Sequence, residues 1–128
     1  MSDENRARPA LGEALCLVQD VPVHGAICVD REAGEHRWSV IITRSVDAVA
    51  AFENLCPHAR MPMERPDGSV VVQEGKFLVC TAHGASFHLA TGDYVAGPGI
   101  GCGLTRVPVQ QEEGRVVLAD PPPNQSPL

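Results

Sequence analysis

The chain of 128 residues has a single lysine and five aromatic residues, Trp38, Phe52, Phe77, Phe87 and Tyr94. No apolar run approaches the ~20 residues that a membrane-spanning helix needs. The longest, Trp38–Thr43 and Val46–Phe52, fall far short, so no membrane span is expected. Cations are scarce: 10 Lys and Arg stand against 16 Asp and Glu, a net charge of −6. Nucleic acid is excluded, because binding it requires clustered Lys and Arg that displace counterions. Partners compatible with this charge are basic proteins or small molecules. Met1–Gly12 alternates charged and polar residues (Asp3, Glu4, Arg6, Arg8) without an apolar stretch beside a small-residue cleavage site. It does not resemble a secretion signal, and the expected compartment is the reducing cytoplasm. The five cysteines, Cys16, Cys28, Cys56, Cys80 and Cys102, are an odd number. In that compartment, metal ligation or simple burial is expected rather than a disulfide framework.

What is present points to strands. Apolar residues make up 44% of the chain, and 12 Gly and 11 Pro interrupt apolar stretches of four to seven residues. This pattern predicts strands at Ala14–Val18, Ala26–Val29, Trp38–Thr43, Val46–Phe52, Ser69–Val72, Phe77–Val79, Ser86–Leu89, Val107–Gln110 and Arg115–Leu118. The expected fold class is all-β, an antiparallel sandwich or barrel. His24-Gly25, Ala33-Gly34, Pro66-Asp67-Gly68, Glu74-Gly75, Thr91-Gly92-Asp93 and Glu113-Gly114 provide the turns. The best helical candidate, Val46–Leu55, begins β-branched and runs into Cys-Pro, which favours a buried strand entering a loop. The expected organisation is a disordered leader over 1–12, one domain over 13–120 and a Pro-rich tail over 121–128.

Two short motifs carry chemistry: Cys56-Pro57-His58 and Cys80-Thr81-Ala82-His83, with 21 residues between His58 and Cys80. Two ligands one or two residues apart approach one metal centre without the entropic cost of closing a long loop. Two such pairs make a four-ligand site. By ligand identity alone, two Cys and two His also satisfy tetrahedral zinc, so a zinc-stabilised binding module stays open at this point.

Cys-x-His followed by Cys-x-x-His resembles the ligand pattern of Rieske proteins, which hold a [2Fe–2S] cluster with two Cys on one iron and two His on the other. The resemblance runs from about Ala14 to Ala119. It includes Val49–Leu55 leading into Cys56-Pro57-His58-Ala59, Phe77–Cys80, His83–Phe87, Leu89–Gly92 and Gly97-Pro98. It implies a Rieske fold with a smaller cluster-binding lobe over about 54–98. Cys56 and Cys80 would hold the inner iron, and His58 and His83 the outer one, toward solvent. The implied protein is a soluble one-electron carrier of bacterial oxygenase systems. It would take electrons from a flavin-dependent NAD(P)H ferredoxin reductase and pass them to a terminal oxygenase, with no substrate of its own. A second reading is a small Rieske subunit of a multi-subunit oxidoreductase such as nitrite reductase. A catalytic oxygenase subunit is not expected, because 128 residues leave no room for a mononuclear iron domain.

Several positions depart from other members of the family. Respiratory Rieske proteins join the cluster loops by a disulfide and aim a Ser and a Tyr hydroxyl at the cluster. The matching positions here are Met61 with Ala82, and Ala85 with Phe87. Fewer hydrogen bonds to sulfur place the expected potential in the lower half of the class range of roughly −150 to +300 mV. The His58–Cys80 segment is longer than usual for the ferredoxins, with the excess assigned to Met63–Glu74. In the loop that covers the cluster, Cys102 stands where a Pro is common and is expected not to ligate.

Other residues are read locally. Cys16 and Cys28 lie in alternating apolar runs and are expected to pack as small apolar residues. His24, His36 and His88 are expected at the surface. Met61 and Met63 are expected to form an apolar docking rim beside the cluster. The stretch Cys56–Cys102 carries a net charge of only −1 (Arg60, Arg65 and Lys76 against Glu64, Asp67, Glu74 and Asp93), so partners are expected to meet a nearly neutral tip.

Overall fold

The computed structural model describes residues 6–46, 48–57, 61–81, 84–97 and 102–120. The tail 121–128, the first five residues, and His58, Ala59, Arg60, Ala82, His83 and Pro98 among the residues singled out above lie outside this set.

The chain is all-β. Ten strands occur among the described residues: β1 (Ala14–Leu17), β2 (Gly25–Ala33), β3 (His36–Arg44), β4 (Val49–Glu53), β5 (Val71–Gln73), β6 (Phe77–Val79), β7 (Ser86–His88), β8 (Tyr94–Ala96), β9 (Val109–Glu112) and β10 (Arg115–Leu118). The only helical element among them is a three-residue 3-10 turn, Val18–Asp20. The strands form three antiparallel sheets, ordered β1-β10-β9, β2-β3-β4 and β5-β6-β7-β8. The expected strands are all present, Phe77–Val79 and Arg115–Leu118 with the expected bounds and the others with shifted ends, and β8 is the addition. Its sequence, Tyr-Val-Ala, is too short to reveal a period of its own.

Hairpin registers follow from turn chemistry. Glu113 and Gly114 both have positive φ, at 53° and 80°, and join β9 to β10 in a two-residue loop. That backbone matches the natural twist of the paired strands. β4 starts three residues later than expected because Ser45 N–H donates to the Ala48 carbonyl at 2.9 Å, turning the chain back on β3. Val46 is left exposed.

The second sheet is a wall between two cores. Side chains alternate across a strand, so Trp38, Val40 and Ile42 of β3 and Ala51 of β4 enter one core with Leu15, Val107, Val116 and Leu118. Ile41, Ala50 and Phe52 point the other way and join Leu78, Phe87, Leu89 and Met63 in a second core under the third sheet. A strand buried on both faces reads as a continuous apolar run, which explains Trp38–Thr43. Residues 105–107 close the outer edge of β4: Glu53 N–H donates to the Thr105 carbonyl and Val107 N–H to the Ala51 carbonyl, both at 2.9 Å. The described part of the expected leader belongs to the folded body. Ala7 is buried in the first core, and Gly12 N–H donates to the Leu118 carbonyl at 2.7 Å.

Candidate metal centre

Cys56 follows β4, three residues past its end, and Cys80 directly follows β6. β4 belongs to the second sheet and β6 to the third, so the core between those sheets receives both cysteines. They are 1% and 0% exposed and lie in one buried cluster with Met63, Leu78, Ala85 and Phe87. None of the five cysteines is in a disulfide.

Both cysteines head loops closed in the same way. Cys56 N–H donates to the Met61 carbonyl and Cys80 N–H to the Ala85 carbonyl, each at 2.8 Å and each spanning five residues. A third bond, Gly84 N–H to the Cys80 carbonyl at 2.8 Å, tightens the second loop. His58 and His83 lie in sequence inside these two loops, and both are outside the described residues. Two cysteines in one apolar core, each starting a closed loop that also carries a histidine, fit a cluster with mixed Cys and His ligands. When bound, such a cluster supplies a one-electron centre whose imidazole ligands lessen its negative charge.

The start of a third loop is pinned against the second. Gly97 has φ +105°, and a Cβ there would stand 2.7 Å from Ala85 Cα and 2.9 Å from the Gly84 carbonyl oxygen. Only glycine permits this approach. The Tyr94 hydroxyl donates to the Gly97 carbonyl, and the Tyr94 ring meets Phe87 edge-on with centroids 6.3 Å apart. Ala85 and Phe87 are fully buried and offer no hydroxyl. Cys102 is exposed, and its neighbour Gly103 packs on Gly92, between the end of β7 and the start of β8. That turn lies at the opposite end of the third sheet from Cys80.

A polar network behind the first loop was not anticipated. Asn54, buried two residues before Cys56, accepts from Met63 N–H at 2.7 Å. Its Nδ2 donates to Ser39 Oγ at 3.0 Å and to Glu64 Oε1 at 2.5 Å, and meets Cys28 Sγ at 3.3 Å. Arg37 bridges Glu64 and Asp30 at 3.3 and 3.4 Å. Burial opposes ionisation of Asp30, but the Ser39 hydroxyl and Arg37 outweigh it and hold its carboxyl below the usual value. Cys28 is half-buried in this network rather than in apolar packing. Desolvation, reinforced by Asp30 and Glu64 against the Ser39 hydrogen bond, pushes its thiol up to about 11. The signal in the sequence was Asn54 itself, which with Glu53 interrupts the otherwise apolar stretch Val49–Leu55.

Met63 is 1% exposed and belongs to the core, so the expected docking rim loses it; Met61, 50% exposed, remains. Period two along β5 to β8 gave no warning, because Met63 lies in a loop held inward by its bond to Asn54. His24 and His88 are exposed as expected. His36 is half-buried and accepts Arg6 N–H at Nδ1, 3.0 Å away.

An all-β domain with paired, closed cysteine loops at one core defines a small metalloprotein. The match that specifies it is to the Rieske [2Fe-2S] domain, over residues 13–116. The chain belongs to that family, whose domain holds a [2Fe–2S] cluster and has the fold of an electron carrier. Among solved structures it is similar to the Sphingomonas yanoikuyae B1 ferredoxin, with 27% identity and a TM-score of 0.63 over 86% of this chain and 99% of that one. It also resembles the ferredoxin of carbazole 1,9a-dioxygenase from Nocardioides aromaticivorans IC177 (19% identity, TM-score 0.64, 86% and 98% covered). The terminal oxygenase of carbazole 1,9a-dioxygenase from Novosphingobium sp. KA1 matches at 21% identity and TM-score 0.65 over 87% of this chain and 30% of that one. At those last two identities the likeness is one of fold. No curated protein sequence matches significantly. No helix among the described residues is long and apolar enough to cross a membrane.

Proposed function

We propose that this protein is a cytoplasmic one-electron carrier that takes electrons from a flavin-dependent NAD(P)H reductase and delivers them to a terminal oxygenase, with no substrate of its own. In this reading Cys56 and Cys80 hold the inner iron, and His58 and His83 the outer iron, within a cluster-binding lobe spanning about 54–98. The observation that carries it is the pair of matching loops, each closed by a cysteine N–H donating to the carbonyl five residues ahead. Leu55 and Met61, 40% and 50% exposed on either side of Cys56, supply an apolar contact for a docking partner. The buried Ala85 and Phe87 leave the sulfurs without those hydroxyl donors, which supports a potential in the lower half of the roughly −150 to +300 mV range.

The test is electron paramagnetic resonance of the dithionite-reduced, anaerobically purified protein, with iron and sulfide counted on the same sample. The expected result is a rhombic signal of mixed Cys/His ligation and two irons per chain. Zinc in place of iron would replace this reading with that of a redox-silent module. The partner assignment is tested by adding the protein to an oxygenase and its flavin reductase with NADH. Reduction of the cluster without turnover would favour a relay in another oxidoreductase.

A further inference from the structure

The ends of β4, β6 and β7 opposite the cysteine loops enclose a cavity of about 330 Å³ between the second and third sheets. Among the described residues its charged lining is of one kind: Arg44, Lys76 and Arg106, with His24 and His88. In a chain of net charge −6, three of the ten Lys and Arg and two of the five His meet at one cavity, and among the described residues no carboxylate lines it. Among the described residues, none of the three cations has an acidic side chain within ion-pair distance. Arg44 uses one nitrogen on the Val18 and Val21 carbonyls, at 3.4 and 3.1 Å, which fixes the guanidinium and leaves its other N–H groups for a ligand. Val49, Ala50, Leu89 and Ala90 provide an apolar wall.

The backbone around this cavity is also unusual. His24 has φ 59°, and of the three described non-glycine residues with positive φ it alone lies outside a hairpin turn. It is held there by a tight turn, closed by Gly25 N–H on the Pro22 carbonyl at 3.0 Å, and by its own N–H bond to the Arg44 carbonyl at 2.8 Å. Gly75 makes room: a Cβ at that position would stand 3.2 Å from His24 Cβ. Strained residues persist where the surroundings impose them, and they cluster at ligand sites. Here the strain brings His24 against the β5–β6 turn that carries Lys76, completing the rim.

We propose that this cavity binds a small organic anion, with its carboxylate or phosphate on the cationic rim and its apolar part against Val49, Ala50 and Leu89. A few convergent charged groups over an apolar wall, in a cavity near the lower end of the ligand-sized range, are the usual makeup of a small-molecule site. Lys76 and Cys80 flank the three residues of β6, four residue steps or about 13 Å apart. An anion here and a redox partner at the cysteine loops are therefore bound on opposite ends of the third sheet.

The test is a nuclear magnetic resonance titration of the oxidised, cluster-loaded protein, following amides of Ala48–Ala50, Lys76 and His88–Ala90, with benzoate, phenyl phosphate, inorganic phosphate and benzyl alcohol as probes. The proposal expects saturable shifts for benzoate or phenyl phosphate, with Kd on the order of 1 mM or tighter. Inorganic phosphate, lacking the apolar part, should bind at least fivefold more weakly, and benzyl alcohol should not bind. Lys76→Gln with Arg106→Gln, both at exposed residues, should weaken binding at least tenfold. Arg8→Gln with Arg65→Gln, an equal change of net charge elsewhere, should leave it unchanged. The visible absorption of the cluster reports that each variant is folded. Absence of shifts at ten times the expected Kd, equal shifts with benzyl alcohol, or equal loss in both double variants would overturn the proposal.

Discussion

Replacing Asn54 by Leu removes the side chain that ties the first cysteine loop to the second sheet while nearly preserving its volume. Four contacts disappear: Met63 N–H at 2.7 Å, Ser39 Oγ at 3.0 Å, Glu64 Oε1 at 2.5 Å and Cys28 Sγ at 3.3 Å. The Met63 amide has no water to turn to, since Met63 is buried, and an orphaned buried donor costs about 1–3 kcal/mol. The bond to the Glu64 carboxylate is worth a further ~1.5–3 kcal/mol, and the Ser39 bond about 1 kcal/mol. Allowing for some recovery from the apolar replacement, Asn54→Leu should destabilise by about 4 kcal/mol. For a domain of this size, that lowers the melting temperature by roughly 15 °C. The assay is thermal unfolding of the cluster-loaded protein at one fixed heating rate, followed by visible and near-ultraviolet signals. Asn54→Asp keeps the acceptor for Met63 but sets a second carboxylate against Glu64, so it should also melt early. Adding Glu64→Gln to Asn54→Asp restores a donor–acceptor pair and should recover part of the loss. A melting temperature for Asn54→Leu within about 2 °C of the parent would refute the reasoning, since one neutral hydrogen bond alone would shift it more.

Three further outcomes are expected. Gly92 has φ +78°, and a Cβ there would stand 2.6 Å from Cε1 of the fully buried Phe52. Gly92→Ala should therefore cost about 3 kcal/mol in chemical denaturation, whereas Gly114→Ala, with φ +80° and open space around it, should cost only about 1 kcal/mol; equal costs would show that the Phe52 contact relaxes freely. The Cys28 thiol has its folded value raised to about 11 from an ordinary 9.0, so the stability it contributes is complete below pH 9 and is lost as pH rises through 11. Unfolding free energy should thus fall more steeply over that window in the parent than in Cys28→Ala, and parallel curves would contradict the assignment. Cys56→Ser or Cys80→Ser should abolish the visible cluster absorption and cut the iron content. Cys102→Ser, at an exposed residue, should leave both unchanged; loss of iron in Cys102→Ser would place that thiol at the cluster.

Much of this protein was legible in the linear chain. Strand positions followed from short apolar runs and turn residues, because alternation and turn conformation are local properties. The paired Cys and His motifs were readable for the same reason: ligands one or two residues apart declare a loop site without knowledge of the fold. Which neighbours stand behind those loops was not local. Met63 looked like a surface methionine, and only its backbone bond to Asn54 places it in the core. Ala7 looked like part of a loose leader until the first core was seen to accept it. Cys28 sits in an apolar run, yet cross-strand pairing of Asp30 with Ser39, and the approach of Asn54 and Glu64, set it in a polar network. Five basic residues from five separate stretches of sequence share one cavity only because two sheets close over a common core. Local preferences decide what each segment becomes; which segments meet depends on long-range packing, and no short window of sequence contains it.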